Sequence, residues 1–590
     1  MNLIKSLPEN KKKRDHEVFV GTFTLQQIKE EYIVIQMPPQ YIVNSYKFGY
    51  ERDNPGFKYL RHYILGEPEG GHIIETFYTL NLEGAKGFFC DNLKKYSQEY
   101  GLDGVIQLFR KATQNLMFNL HEIEDDFDVY VAFETMNNRG KRLSNLELLK
   151  NRLIYLTTIY EDYEIKDDER SILRNEINDA WKDVYFQLGR NKERPLSDDD
   201  FLMAHWIMYF QYTRKKGSDY VHFLLEERFT PQNIFTKTAR LDSIVEIKEV
   251  RDESEEEQID YSGENGIEEQ ETKVARLSPR EISDYVKSLK SAAGHWYNTF
   301  HPLNNQDLTG EEQLWLDRLN RIGFAYFRPL VVASYLNKNI GLQDRLLLFK
   351  EIERFIFLTF RIGRALTTYR NSEFYRLTKR LRSAEINVGH IIWVLRSSTE
   401  NLLNAEKALD IQPFRNYLNR LFRDGGGFYW WSGLHYFLYE YEQELVRNKG
   451  NAKIDWQLFV KSEKDKVSIE HIYPQTPDDS WASVFDRYNN QQKSYLTGSL
   501  GNLLPLSQSK NSSLQNVGFK DKKHPTGKSH KGYSDGSHSE IEVAEYRIWN
   551  AKTILERGYN LLDFMERRWD FKFASQADKK AILFLEFVKE

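Results

Sequence analysis

At 590 residues, 40% hydrophobic, 29% charged and 14% aromatic, the chain is too long for one core and has the composition of a folded, water-exposed protein of several domains. A single cysteine, Cys90, excludes an internal disulfide framework and any multi-cysteine zinc site. No apolar run reaches the roughly 18–20 residues of a membrane span, and the polar start with Lys11, Lys12, Lys13 and Arg14 lacks a signal-peptide core, so a cytoplasmic location is expected. The formal charge of −5 conceals ten acids without a lysine or arginine between Asp252 and Glu271, which leaves the rest of the chain net positive.

Residues 1–165 mix short apolar runs with turn signals. Their clearest feature is Phe133-Glu134-Thr135-Met136-Asn137-Asn138-Arg139-Gly140, a tight turn in which Gly140 can take a positive φ. Ser144 and Glu147 then have capping-box spacing, which predicts a helix beginning at Ser144 with Leu146, Leu149, Leu153 and Leu156 on one face. Residues 166–241 read as a helical extension with aromatics spaced for packing (Trp181, Tyr185, Phe201, Trp206, Tyr209). Residues 242–278, acidic and too polar to bury, read as a linker or insertion. Helical periodicity returns over 279–459 and includes a basic segment from Arg361 to Arg382. That segment is either a solvated helix face or a phosphate-facing surface. Gly425-Gly426-Gly427 lacks the Lys-Ser/Thr of a P-loop and reads as a turn.

The last segment, 460–590, differs in character. A strand-like Val467-Ser468-Ile469 leads into Glu470-His471-Ile472-Tyr473-Pro474-Gln475. Gly501-Asn502-Leu503-Leu504 follows, then Asn511, a lysine-rich loop, and a closing helix expected from about Glu540 to Arg568. Phosphodiester hydrolysis needs a base near neutral pKa, for which histidine is suited, and a hard cation held by oxygen ligands. Glu470 offers a carboxylate beside His471, Asn511 an amide oxygen, and Asn502 a side chain able to hold the loop through backbone hydrogen bonds. A lone Glu-His pair is usually a surface dipeptide; the ordered set gives the pair its weight. Seven lysines stand between Lys493 and Lys531 against one acid, Asp521. Lys510, Lys520, Lys522 and Lys523 among them would form either a DNA-backbone track or a solvated loop.

The set apolar-Glu-His-apolar-x-Pro, Gly-Asn-Leu and a later Asn before lysines resembles the HNH nuclease superfamily, in the variant found in the C-terminal half of GmrSD-type restriction proteins. The resemblance implies a ββα-metal domain and antiphage or modification-dependent cleavage of DNA with Mg²⁺ or Mn²⁺. His471 would be the general base, Glu470 and Asn511 the metal ligands, and Asn502 the central structural Asn of the catalytic loop. The long interval between His471 and Asn502 implies an insertion carrying Trp481 and Tyr488. Upstream, Asn137, Gly140, Leu143, Ser144, Lys150 and Asn151 resemble the end of the ParB-like module in the same proteins. Asn137, Arg139, Gly140, Lys150 and Asn151 would then form a nucleotide or sensor interface. The module's Asp-Gly-Gln-Gln-Arg signature is missing here, so a nucleoside triphosphate is expected only through a partner subunit that supplies it. The expected architecture is mainly α with small α+β parts: a partial ParB-like module (1–165), a helical extension, a linker, a helical domain and an HNH domain (460–590). The alternative function is a non-catalytic nucleic-acid-binding or assembly protein that keeps an HNH fold as scaffold.

Overall fold

Ser144 starts its helix as the spacing predicts: its hydroxyl accepts from Glu147 N (3.3 Å), and the Glu147 carboxylate accepts from Ser144 N (2.9 Å). The computed structural model describes residues 1–36, 44–50, 54, 56–68, 73–117, 143–210, 219–240, 272–303, 305–449, 467–525 and 531–589. These group into two compact units, residues 1–209 with 213–297, and 210–212 with 298–590.

In the first unit, short antiparallel pairs join β1 (Phe19–Val20) to β2 (Phe23–Thr24) and β3 (Val34–Gln36) to β4 (Asn44–Tyr46). A helical stretch, α1 (Phe77–Arg110), is broken at Gly101, where φ is 66°. The helices α2 (Asn145–Thr158), α3 (Asp167–Gly189) and α4 (Asp198–Tyr209) follow. Leu146, Leu149, Leu153 and Leu156 of α2 are all fully buried, so the predicted face is the packed one. Trp181 of α3 donates its indole N–H to Leu146 O (2.9 Å), which gives this large side chain a polar partner inside the core. The acidic stretch lies mostly outside the described residues, but its end is structured. There, β6 (Thr272–Ala275) pairs antiparallel with β5 (Lys237–Arg240), Leu277 is buried, and Ser278 caps the following helix through Glu281 N (3.3 Å).

The second unit is helical around one aromatic-rich core, with a single strand pair among its described residues. Its helices include α5 (Gly310–Ile322), α6 (Leu342–Ile356), α7 (Gln412–Arg423) and α8 (Leu434–Lys449). The strand pair is β7 (Val467–His471) against β8 (Leu503–Ser507), antiparallel, with Glu470 opposite Leu504 and His471 opposite Leu503. The helix α9 (Gln508–Leu514) leaves β8 directly, capped by Ser507, and α10 (Phe519–Lys523) follows.

The closing helix expected from about Glu540 is two helices, α11 (His538–Glu545) and α12 (Ala551–Trp569). Two local demands break it. Asn550 caps α12 by accepting from Thr553 N (3.0 Å), and Trp549 is turned inward so that its indole N–H reaches Asn502 Oδ1 (3.0 Å). The α12 backbone packs so closely on the turn before β8 that any side chain at Gly501 would overlap Ile554 O. Arg557 of the same helix ties that turn down through Gly501 O and Leu503 O (both 2.8 Å).

Candidate active site

β7 carries the Glu-His pair because its apolar residues, Val467 and Ile469, bury one face of the strand while Ser468 and Glu470 take the other. A cleft of about 680 Å³ opens beside it, lined by Ser468, Glu470, His471, Asn511, Gln515 and Tyr429 among others. The structure thus brings Glu470, His471 and Asn511 to one cleft, and it leaves Asn502 out.

His471 sits at the end of β7, half-buried, its imidazole stacked on the Tyr429 ring (centroids 4.9 Å apart, planes at 29°). Neither ring nitrogen is hydrogen-bonded among the described residues. Burial, followed by the neighbouring Lys522 charge, lowers its pKa to about 4. The imidazole is therefore neutral, with a lone pair to accept a proton, throughout the neutral range.

Asn511 reaches the cleft from α9. Its Nδ2 donates to Ser468 Oγ (2.8 Å), which fixes the amide and leaves Oδ1 as the atom available to a cation. Glu470 is buried, and both of its hydrogen bonds end on Oε1, from Lys522 Nζ (2.5 Å) and Tyr533 OH (3.3 Å). Burial pushes the Glu470 carboxyl up and the Lys522 ammonium down, and in each case the partner's charge opposes the shift. A carboxylate and an amide oxygen are the donor types a hard cation takes, and Glu470 Oε2 and Asn511 Oδ1 are the oxygens here that could hold one. The Lys522 charge beside the same carboxylate would weaken that binding.

Asn502 is fully buried and uses all four of its amide positions. Oδ1 accepts from Tyr473 N (2.8 Å) and Trp549 Nε1 (3.0 Å), while Nδ2 donates to Tyr473 O (2.9 Å) and Thr497 O (3.0 Å). It is the clamp between the two ends of the long connection, and it touches no reacting group. That connection carries Trp481 and Tyr488. Trp481 donates to Asn516 O (3.1 Å) and Val517 O (3.2 Å), and Phe485 stacks on Tyr473 with centroids 3.8 Å apart.

The four lysines expected along a DNA track fare differently, and two are corrected. Lys522 is 0% exposed, its ammonium shared among Glu470, Ile472 O (3.1 Å) and His471 O (3.3 Å). A charge so enclosed has no surface to offer a phosphate. Lys510 is paired with Glu540 at 2.5 Å, with both side chains mostly buried. Lys523 is half-buried and donates to Tyr546 O (2.8 Å). Lys520 alone of the four is exposed. The basic segment divides likewise: Arg361 donates to Ile322 O (2.5 Å) and Arg370 pairs with Glu373, while Arg376 and Arg380 are exposed.

Of the sensor residues, Asn137, Arg139 and Gly140 lie outside the described residues. Lys150 lines a separate cavity of about 450 Å³ in the first unit with Glu147, Lys182, Trp181, Tyr78 and Tyr185, and Asn151 is half-buried on α2. One residue lining the cleft, Tyr429, escaped sequence reasoning, and so did the burial of Lys522 against Glu470. Lys522 was one of a run of lysines with nothing local to mark it as buried. Tyr429 sits after the triple glycine, and an aromatic beside a tight turn could have drawn notice.

Residues 414–564 match the family model of the C-terminal domain of GmrSD restriction endonucleases. That span runs from α7 into α12 and contains every residue of the cleft named above. No curated protein matches the chain.

Proposed function

We propose that this chain, whose residues 414–564 match the C-terminal domain of GmrSD restriction endonucleases, is a metal-dependent HNH endonuclease that hydrolyses DNA phosphodiester bonds in a GmrSD-like restriction system. The observation that carries this reading is the convergence of a neutral histidine, a carboxylate and an anchored asparagine on one cleft of a strand–strand–helix unit. His471 takes the proton of the attacking water while a new P–O bond forms and the bond to the leaving oxygen breaks. Stacking on Tyr429 holds the imidazole plane in place for that transfer. A bound Mg²⁺ or Mn²⁺ would supply charge stabilisation at the phosphate and the leaving oxygen, held by Glu470 and Asn511.

The test is cleavage of duplex and single-stranded DNA by the full chain, with Mg²⁺ or Mn²⁺ and with chelator. Cleavage should need the metal, and His471→Ala should reduce it by about 10²–10⁴-fold without loss of fold. Undiminished cutting by folded His471→Ala overturns the assignment. The Glu470–Lys522 pair is the observation favouring a second reading, a non-catalytic nucleic-acid-binding scaffold, because it neutralises the proposed metal ligand internally. DNA binding without cleavage under any divalent cation would select that reading.

We further propose that a second polypeptide completes a nucleotide-binding sensor with the first unit. Phe88 and Phe89 of α1, 64% and 65% exposed, support a covered surface there. Co-purification from the native host and titration of cleavage with nucleoside triphosphates test it. DNA cutting by the lone chain at full rate, with no response to any nucleotide, overturns the split sensor and leaves the nuclease reading in place.

A further inference from the structure

Beside the cleft, a glycine-built turn presents two aromatic rings to solvent. Tyr429 is 38% exposed and Trp430 52%, in a unit that buries most of its aromatic side chains. The two belong to a single helical turn, Gly427–Trp430, that directly follows α7. The local chemistry explains why glycines precede them. A side chain at Gly426 would overlap the Trp430 indole, so that ring packs against bare backbone while about half of its surface stays exposed. Gly427 has a φ of 50°, and a side chain there would meet Gly498 O at 2.7 Å and Phe422 at 2.6 Å. Phe428, between the glycines and the rings, is fully buried and anchors the turn against Phe414 and Trp431. The rings are thus held by packed backbone rather than hung on a loop. Tyr429 in turn rests on His471, which makes the platform continuous with the proposed catalytic base.

Partly exposed rings, backed by packed backbone or by His471 and next to the proposed phosphodiester-cutting site, suit one occupant. We propose that Tyr429 and Trp430 form a stacking platform for an unstacked nucleobase of the strand being cut, adjacent to the scissile phosphate. This inference rests on the nuclease reading of the cleft. A base within an intact duplex has both faces covered by its neighbours, so the platform is reached only where the DNA is single-stranded, mismatched or locally opened. Stacking is tolerant of sequence because every base has a π-face. The platform therefore selects DNA structure rather than base identity, and the preferred substrate is a duplex containing an unpaired or weakly paired position.

The experiment uses the full chain and a DNA duplex with a short single-stranded gap carrying one 2-aminopurine, whose fluorescence is quenched on stacking. Binding is measured on the full chain with chelator in place of a divalent cation, and cleavage of the gapped and the fully paired duplex is measured with Mg²⁺ or Mn²⁺ present. The platform predicts quenching on binding and faster cutting of the gapped DNA. Trp430→Leu, which is apolar but has no π-face, should weaken binding to the gap about tenfold, reduce the quenching and narrow the gapped-to-paired cleavage ratio. Trp430→Phe should retain most of each property, which a merely structural role for the indole would not produce. Equal affinity, quenching and cleavage ratio in folded Trp430→Leu overturn the platform, while cutting by the unmodified chain keeps the nuclease reading. Failure of the unmodified chain both to bind and to cut either DNA removes both.

Discussion

In the turn around Asn502 every amide position is used, two accepting and two donating, all with partners in the protein interior. At the cleft, the Asn511 side chain makes one hydrogen bond and the His471 ring none among the described residues. Both regions belong to one strand–strand–helix unit, so the contrast is not one of fold quality. Saturated polar groups specify a single structure, because breaking any one leaves a buried donor or acceptor without a partner. Unsaturated groups facing a cleft keep their chemistry for something that arrives. The glutamate stands between these extremes, with one oxygen committed to Lys522 and Tyr533 and the other not.

The largest expected effects fall on the open side and are kinetic. Asn511→Ala should lower DNA cleavage by about two orders of magnitude, with partial recovery at high Mn²⁺. Its melting temperature should stay close to that of the unmodified chain, since only the bond to Ser468 is lost. A cleavage defect explained wholly by unfolding would place Asn511 with the scaffold and erase the contrast.

Next come losses of stability on the closed side. Asn502→Ala strands Tyr473 N, Tyr473 O, Thr497 O and the Trp549 indole, and a cost of about 3–5 kcal/mol is expected in denaturant titration. Lys522→Met strands the Glu470 carboxylate in the interior, with a similar cost of about 3–5 kcal/mol. The double variant Lys522→Met with Glu470→Met should regain most of that stability, because an apolar pair can replace a buried ion pair. It should not regain cleavage. A stable double variant that still cuts would remove Glu470 from the proposed metal ligands.

The asymmetry also has a pH signature. His471 has a folded-state pKa near 4 against about 6.5 for the free side chain. The unfolded chain therefore binds a proton below about 6.5 that the native protein refuses until about 4. Stability from this group is fully present above that window and is lost progressively as pH falls through it. Denaturant titrations between pH 7 and 4.5 should show a shallower decline for His471→Phe than for the unmodified chain. Equal slopes would mean that His471 is held no differently in the folded protein than in the unfolded one.

What the sequence revealed follows the same division. The α2 cap was legible because Ser144 and Glu147 act on each other across a single helical turn. Glu470, His471 and Asn502 stood out because their neighbours in sequence resemble a family pattern, and the structure places the first two at one cleft and the third in the turn beside it. The burial of Lys522 was not legible, since its three partners lie some fifty residues upstream and only the fold brings them together. The break before α12 was hidden for a related reason: no Pro or Gly marks it, and its cause is the distant oxygen of Asn502 that Trp549 turns to meet. Tyr429 needed the same long-range view, because stacking on His471 leaves no periodic trace.

The smallest expected effect separates neighbours within one lysine run. Lys520 is exposed on α10, Lys522 is enclosed, and Lys523 spends its ammonium on Tyr546 O. A cation that meets a phosphate displaces condensed counterions from DNA, so each such contact adds close to one unit to the slope of log affinity against log salt. Lys520→Ala should therefore weaken binding to all DNA sequences alike and shallow that slope by about one. Lys523→Ala should change it less, and the folded fraction of Lys522→Met should leave it unaltered, because that charge never faced solvent. An unchanged slope in Lys520→Ala would move the phosphate-binding surface away from α10, with exposed Arg376 and Arg380 as the next residues to replace.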